Sequence, residues 1–263
     1  MKRLFAILLL ISLGFQVSGQ KLVPFLPEPG KSNGMAVIIC PGGSYYWLSR
    51  KTEGADVAMK LRDEGFAAFV LNYRHAGTRY FLFRGLAVPQ NHYPDALEDL
   101  GAAIREVRSR AEEYSIDPSR VGVVGFSAGG HLALDAGKEF EVDSKPSFIG
   151  AIYPVVTMTD EAIVHERSRR ALLGKRYDDK ALRWKLSVEL DVPEDMPPVF
   201  ISTCKDDPTV DYRNSVVMDK ALSEAGVLHS FILFETGGHG FGASSQSATW
   251  LPFFLDFIGN CVY

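Results

Sequence analysis

One serine is enclosed by glycines. In SRVGVVGFSAGGHLALDAG, residues 119–137, Ser127 stands midway between Gly125 and Gly129, with Gly130 behind it. The apolar run 121–124 before it reads as a buried strand, and HLALDAG after it reads as a helix. A G-x-S-x-G turn joining strand to helix is so tight that only small neighbours fit, and it projects the hydroxyl above the sheet edge. A serine hydroxyl is a weak nucleophile at neutral pH. It needs a base in hydrogen-bond reach and a third group to fix that base's tautomer. Behind such an elbow the acid and then the histidine follow in chain order. PVFISTCKDDPTV offers Asp206 and Asp207 just past an apolar run, and SFILFETGGHGFG offers His239 in a glycine-rich loop past the next one. His75, His92 and His131 precede or adjoin the serine, against that order, and His165 and His229 lack a comparable loop.

Acyl transfer also requires two preorganised N–H donors facing the oxygen that becomes anionic. The N–H of Ala128, directly after the serine, is one candidate. The other belongs to CPGGSYYW (40–47), where glycines let the backbone approach a substrate; Gly43 or Ser44 supplies it. Tyr45, Tyr46 and Trp47 beside this loop either offer faces for a sugar or phenolic group, with Tyr45 and Trp47 as substrate contacts, or pack the loop itself. The chemistry needs no cofactor and no metal. The chain has no His-Glu-x-x-His, no paired-cysteine spacing and no phosphate-binding G-x-x-x-x-G-K-[ST] loop. Its formal net charge is −4 with no basic block, which argues against nucleic acid as a partner.

Such groups need a rigid frame. AVIIC (36–40), FAAFVL (66–71), VGVVG (121–125), FIGAIY (148–153), PVFIST (198–203) and SFILF (230–234) have the length and composition of buried parallel strands. Between them, 52–65, 93–115 and 211–226 show helical periodicity; in 93–115, Leu97, Leu100, Ile104, Val107, Ala111 and Tyr114 share one face. The alternation predicts an α/β fold, a mostly parallel sheet with helices on both faces. The charged segment 157–195 breaks the rhythm and is expected to run over the sheet's carboxyl edge, as a partial lid or as plain connecting helices. A second irregular stretch spans 75–94.

The motifs quoted above, together with LSRKTEGADVAMKLRDEGFAAFVLNYR and HYPDALEDLGAAIREVR, resemble the α/β-hydrolase superfamily from about residue 36 onward. Within it they are similar to bacterial esterases related to xylan and carbohydrate acetylesterases. The resemblance implies a serine esterase acting on short acyl groups, acetyl above all, on a glycan or small-molecule ester. It selects Asp207 over Asp206, because the family's acid precedes a valine by three residues, here Val210. Pro41 and Ser44 replace the outer residues of the His-Gly-Gly-Gly run seen in lipase-like relatives. The N-terminal part departs from the family: only about 15 residues separate Gly19 from strand 36–40, so one or more of the fold's usual early strands are expected to be missing. The same triad serves prolyl-oligopeptidase-like peptidases, which usually carry a large extra N-terminal domain, and a non-catalytic binding module is the remaining alternative.

Residues 1–19 carry Lys2 and Arg3, an apolar run 4–13 and small residues at Ser18 and Gly19, the pattern of a cleaved secretory signal. The domain reading is therefore a signal peptide over 1–19 and one catalytic domain over 20–263. The implied location is periplasmic or secreted, with no stable membrane association after cleavage. Three scattered cysteines do not make a disulfide framework; Cys40 and Cys204 read as buried free thiols at strand ends.

Overall fold

The computed structural model describes residues 16–17, 20–82 and 93–261. Most of the expected signal segment lies outside the described residues, as do residues 83–92 of the irregular 75–94 stretch, His92 among them. In chain order the elements are β1 (Gln16–Val17), β2 (Gln20–Phe25), β3 (Ala36–Cys40), α1 (Asp56–Asp63), β4 (Ala67–Asn72), α2 (Thr78–Leu82), α3 (Asp95–Ser109), α4 (Ala111–Tyr114) and β5 (Val121–Phe126). They continue with α5 (Ala128–Glu139), β6 (Ile149–Ile152), α6 (Glu166–Leu173), α7 (Lys180–Lys185), β7 (Val199–Cys204), α8 (Arg213–Glu224), β8 (His229–Phe234) and α9 (Leu251–Cys261).

One sheet runs through the molecule in the order β1-β2-β4-β3-β5-β6-β7-β8. β2 is antiparallel to its neighbours and β3 to β8 are parallel. Where one or more early strands were expected to be missing, two antiparallel strands precede β3, β1 of two residues and β2 of six. Side chains alternate across the pleat. Ile38, Val123 and Ile201 face the core shared with α3, α5 and α8, whereas Val37, Ile39 and Val124 face the one shared with α1 and α9. Both faces are apolar, so the central strands read as continuous hydrophobic runs. All six strands expected from sequence are present within one residue at each end. Cys40 and Cys204 are buried free thiols closing β3 and β7. Among the described residues no helix is long and apolar enough to cross a membrane.

The helical stretch 93–115 is two helices, not one. Arg110 leaves the helical region (φ −112°, ψ 25°), and α4 ends on Ser115 in the left-handed region. The apolar face carries on past this break, so periodicity alone did not reveal it.

The 157–195 excursion packs over the sheet's carboxyl edge and into the core. Leu172, Leu173, Leu182, Leu186 and Val188 join the same core as β3 and β5. Asn214 on α8 accepts from the N–H groups of Val156 and Thr157 and donates to the Ile163 carbonyl. Ser187 Oγ accepts from the Met158 N–H. Deepest of these ties is His131 on α5. Its Nε2 lies 2.8 Å from the Leu186 carbonyl, which can only accept, so Nε2 carries the proton. Nδ1 then accepts from the Tyr45 hydroxyl at 2.9 Å.

Burial pushes His131 down to about 4 from the ordinary 6.5. Between those values the unfolded chain binds a proton that the folded one refuses, so stability is present above pH 6.5 and is lost as the pH falls toward 4. Urea unfolding at pH 7 and pH 4.5 should show a loss of about 2–3 kcal/mol from this group. His131→Gln, which cannot titrate, should flatten the slope between the two pH values. Equal slopes for the two proteins would place the proton uptake elsewhere.

Candidate active site

The site begins where β5 turns into α5. Ser127 has φ +54° and ψ −116°, a strained conformation that costs a non-glycine residue about 1–3 kcal/mol. Backbone bonds hold it there: its N–H donates to the Ile152 carbonyl at 3.0 Å, and its carbonyl accepts from His131 and Val155. The flanking glycines are sterically required. A Cβ on Gly125 would stand 2.0 Å from the Gly129 carbonyl oxygen, and one on Gly129 would stand 2.0 Å from that of Cys40.

His239, Asp207 and Ser127 come together in series. His239 Nε2 lies 3.0 Å from Ser127 Oγ, and its Nδ1 lies 2.6 Å from Asp207 Oδ2. With Nδ1–H donating to a carboxylate, Nε2 is left to accept the serine proton. The Asp207 side chain is fully buried. Its second oxygen, Oδ1, accepts from the N–H groups of Thr209 (2.8 Å) and Val210 (3.0 Å). The three-residue spacing from acid to valine is thus a turn in which the carboxylate caps its own loop. Asp206 points elsewhere. It accepts from the N–H groups of Gly237 and Gly238 and pins the loop that carries His239.

The 40–47 loop lies against the serine, since a Cβ on Gly42 would be 2.9 Å from Ser127 Cβ. Gly43 has φ +136°, and its carbonyl accepts from the Tyr46 and Trp47 N–H groups in a tight turn. Among the described residues the N–H groups of Gly43, Ser44 and Ala128 meet no acceptor. Gly42 is different: its N–H donates to Glu53 Oε2 at 2.9 Å. Glu53 Oε1 accepts from the Tyr153 hydroxyl, which itself accepts from the Gly242 N–H. The Tyr153 ring packs on His239 with centroids 4.6 Å apart. Burial pushes the Glu53 carboxyl above its ordinary range, and the Tyr153 hydroxyl and the nearby His239 oppose that shift.

Tyr45 is not a substrate contact. It is 1% exposed, and its hydroxyl is engaged by His131 inside the core. Adjacency in sequence misled here because the loop turns inward after Ser44. Tyr46 is buried as well. Trp47 is half-buried, and its ring lies 5.0 Å from that of Phe81 and 5.6 Å from the Arg167 guanidinium. Arg167 Nε donates to Ser44 Oγ at 3.0 Å, so α6 reaches the loop directly.

Sequence reasoning missed Glu53, Tyr153 and Arg167. Glu53 carried a legible signal: with Val57 and Leu61 it forms an i, i+4, i+8 stripe, so a carboxylate sits on a buried face. Tyr153 and Arg167 had none, because their roles depend on loops meeting far apart in sequence. Among the described residues no three His, Cys, Asp or Glu side chains converge to hold a metal ion.

The strand order, the serine elbow and the histidine beyond β8 define an α/β-hydrolase. Residues 24–222 match the BD-FAE family model, and the chain belongs to that family. It is 32% identical over 246 residues to an acetylxylan esterase of Xylanibacter ruminicola, covering 91% of this chain and 47% of that one. It is 31% identical to endo-1,4-beta-xylanase B of Butyrivibrio fibrisolvens, covering 78% and 32%. The chain thus spans less than half the length of these curated relatives. A crystal structure of an acetyl ester-xyloside bifunctional hydrolase from Caldicellulosiruptor lactoaceticus superposes with a TM-score of 0.79 at 32% identity, covering 92% of this chain and 88% of that one.

A fluorophosphonate probe should label the wild type and leave Ser127→Ala unlabelled but folded. Asp207→Asn should slow labelling by roughly four orders of magnitude, the scale for losing a triad aspartate. Asp206→Asn, which loosens a loop without touching the base, should slow it far less. The reverse ranking of the two variants would remove the assignment of Asp207.

Proposed function

We propose that this protein is a serine esterase that removes short acyl groups, acetyl first, from carbohydrate. The observation that carries the reading is the hydrogen-bonded series from Ser127 through His239 to Asp207, set beside unoccupied N–H groups. In the proposed cycle Ser127 Oγ attacks the ester carbonyl while His239 Nε2 takes its proton. Ala128 N–H and the N–H of Gly43 or Ser44 receive the oxyanion. His239 passes the proton to the leaving alcohol, Asp207 stabilises the imidazolium, and water then cleaves the acyl-enzyme. Similarity to an acetylxylan esterase and to an acetyl ester-xyloside hydrolase supports acetylated xylan as the first substrate to test. The secretion pattern in residues 1–19 supports action outside the cytoplasm, on polymeric or oligomeric glycan.

Trp47 and Phe81, with Arg167 from the 157–195 excursion, pack together beside the 42–44 loop. Acetate should therefore be released from acetylated xylan, and kcat/KM on nitrophenyl esters should fall from two-carbon to eight-carbon acyl chains. Each methylene the site rejects should cost about 1–3 kcal/mol of discrimination. A rise in kcat/KM with chain length would instead mark a lipase-like enzyme.

A further inference from the structure

Helix α6 carries three arginines whose surroundings differ. Arg169 is buried, and the Glu161 carboxylate receives it through two bonds of 2.8 and 2.9 Å. Further along the same excursion, Arg176 and Arg183 also hold carboxylates. Arg167 and Arg170 do not: neither has an ion-pair partner among the described residues. They are three apart on the helix and line one cleft of about 300 Å³ with Tyr46, Phe81 and Glu166. Glu166 leans toward Arg169 at 3.8 Å. The Arg170 guanidinium lies over the Tyr177 ring at 4.9 Å, so two guanidinium groups and the single Glu166 carboxylate leave the cleft with an excess of positive charge.

Arg167 is also held in place. Its Nε donates to Ser44 Oγ, and its guanidinium lies over the Trp47 and Phe81 rings at 5.6 and 5.9 Å. Both Nη groups are left without a hydrogen bond among the described residues. A half-buried, oriented guanidinium with its outer N–H groups unused matches a carboxylate in plane and spacing. The cleft is at the small end of ligand-sized sites, enough for one sugar ring. Arg167, which lines the cleft, also bonds Ser44, a candidate oxyanion donor, and so connects the cleft to the loop beside Ser127.

We propose that the cleft between the 42–47 loop and α6 binds a carboxylate of the substrate through Arg167 and Arg170, and that acidic esters are preferred over their neutral counterparts. This rests on the esterase reading and refines its substrate class. The carboxylate could stand on the sugar, as in a uronic acid branch, or on the acyl group, and two substrate pairs separate these sources. The first pair is an acetylated xylo-oligosaccharide with and without one uronic acid branch. The second is 4-nitrophenyl hemisuccinate against 4-nitrophenyl butyrate, which have equal chain length.

At low salt, kcat/KM should be about tenfold or more higher for the charged member of one pair, as expected for a charge-assisted contact. That ratio should fall to near one in Arg167→Gln and decline in Arg170→Gln. Arg167→Lys, which keeps the charge but not the fork, should retain part of it. Releasing Ser44 can slow every substrate, so the ratio within a pair is the readout and not the absolute rate. In the Ser127→Ala background, the uronic acid oligosaccharide should bind more weakly by calorimetry once Arg167→Gln is added. Turnover of both members at equal rates in both pairs would overturn the carboxylate site and leave the esterase reading standing. No turnover of any of the four esters would sink both.

Discussion

Ser127 keeps a backbone conformation that a residue with a side chain does not hold unaided, and the rest of the site depends on that being enforced. The enforcement is steric and short-range. The end of β5, the first turn of α5 and the end of β3 approach so closely that no Cβ fits between Gly125 and Gly129 or between Gly129 and Cys40. The parallel sheet fixes these distances, because Cys40 and Gly125 are register partners in adjacent strands. Once the three backbones meet, the 40–47 loop has to leave β3 alongside the serine.

A second layer ties the loops to one another. Glu53 touches Gly42 on one side and Tyr153 on the other, and Tyr153 supports both the His239 ring and the Gly242 N–H. One buried carboxylate therefore links the loop after β3 with the loop after β8, at opposite sides of the serine. Asp206 and Asp207 divide the remaining work: one grips the backbone of the histidine loop, and the other grips the ring. Hydrogen bonds of this kind are stronger away from water, and their failure is correspondingly expensive.

The frame was legible because a buried parallel sheet writes its strands as short apolar runs, and each run from AVIIC to SFILF became a strand. Ser127 and His239 stood out because an elbow and a glycine-rich loop carry their own local patterns, whereas Asp207 was separated from Asp206 only by the family resemblance. What could not be read was set by tertiary contact. Tyr45 and Trp47 are two residues apart in one loop, yet one enters the core and the other stays half-buried at the surface. The break at Arg110 was invisible because the apolar face continues across it. The packing of 157–195 could not be read because its anchors, at Ser187, Leu186 and Asn214, are polar contacts that no periodicity encodes.

Those anchors bear on how such a scaffold can diversify. Segments over the carboxyl edge of an α/β sheet are commonly treated as interchangeable inserts. Here the insert completes the interior. The carbonyl of Leu186 satisfies His131, and His131 in turn satisfies Tyr45 at the root of the loop beside Ser127. A graft that replaced the whole segment would leave a buried imidazole without its acceptor and would unsettle the loop beside Ser127 by way of a tyrosine buried in the core. Variation is cheap on the outward face of α6 and costly at 186–188, so new specificities in this lineage should arise by recolouring that helix and not by exchanging the segment.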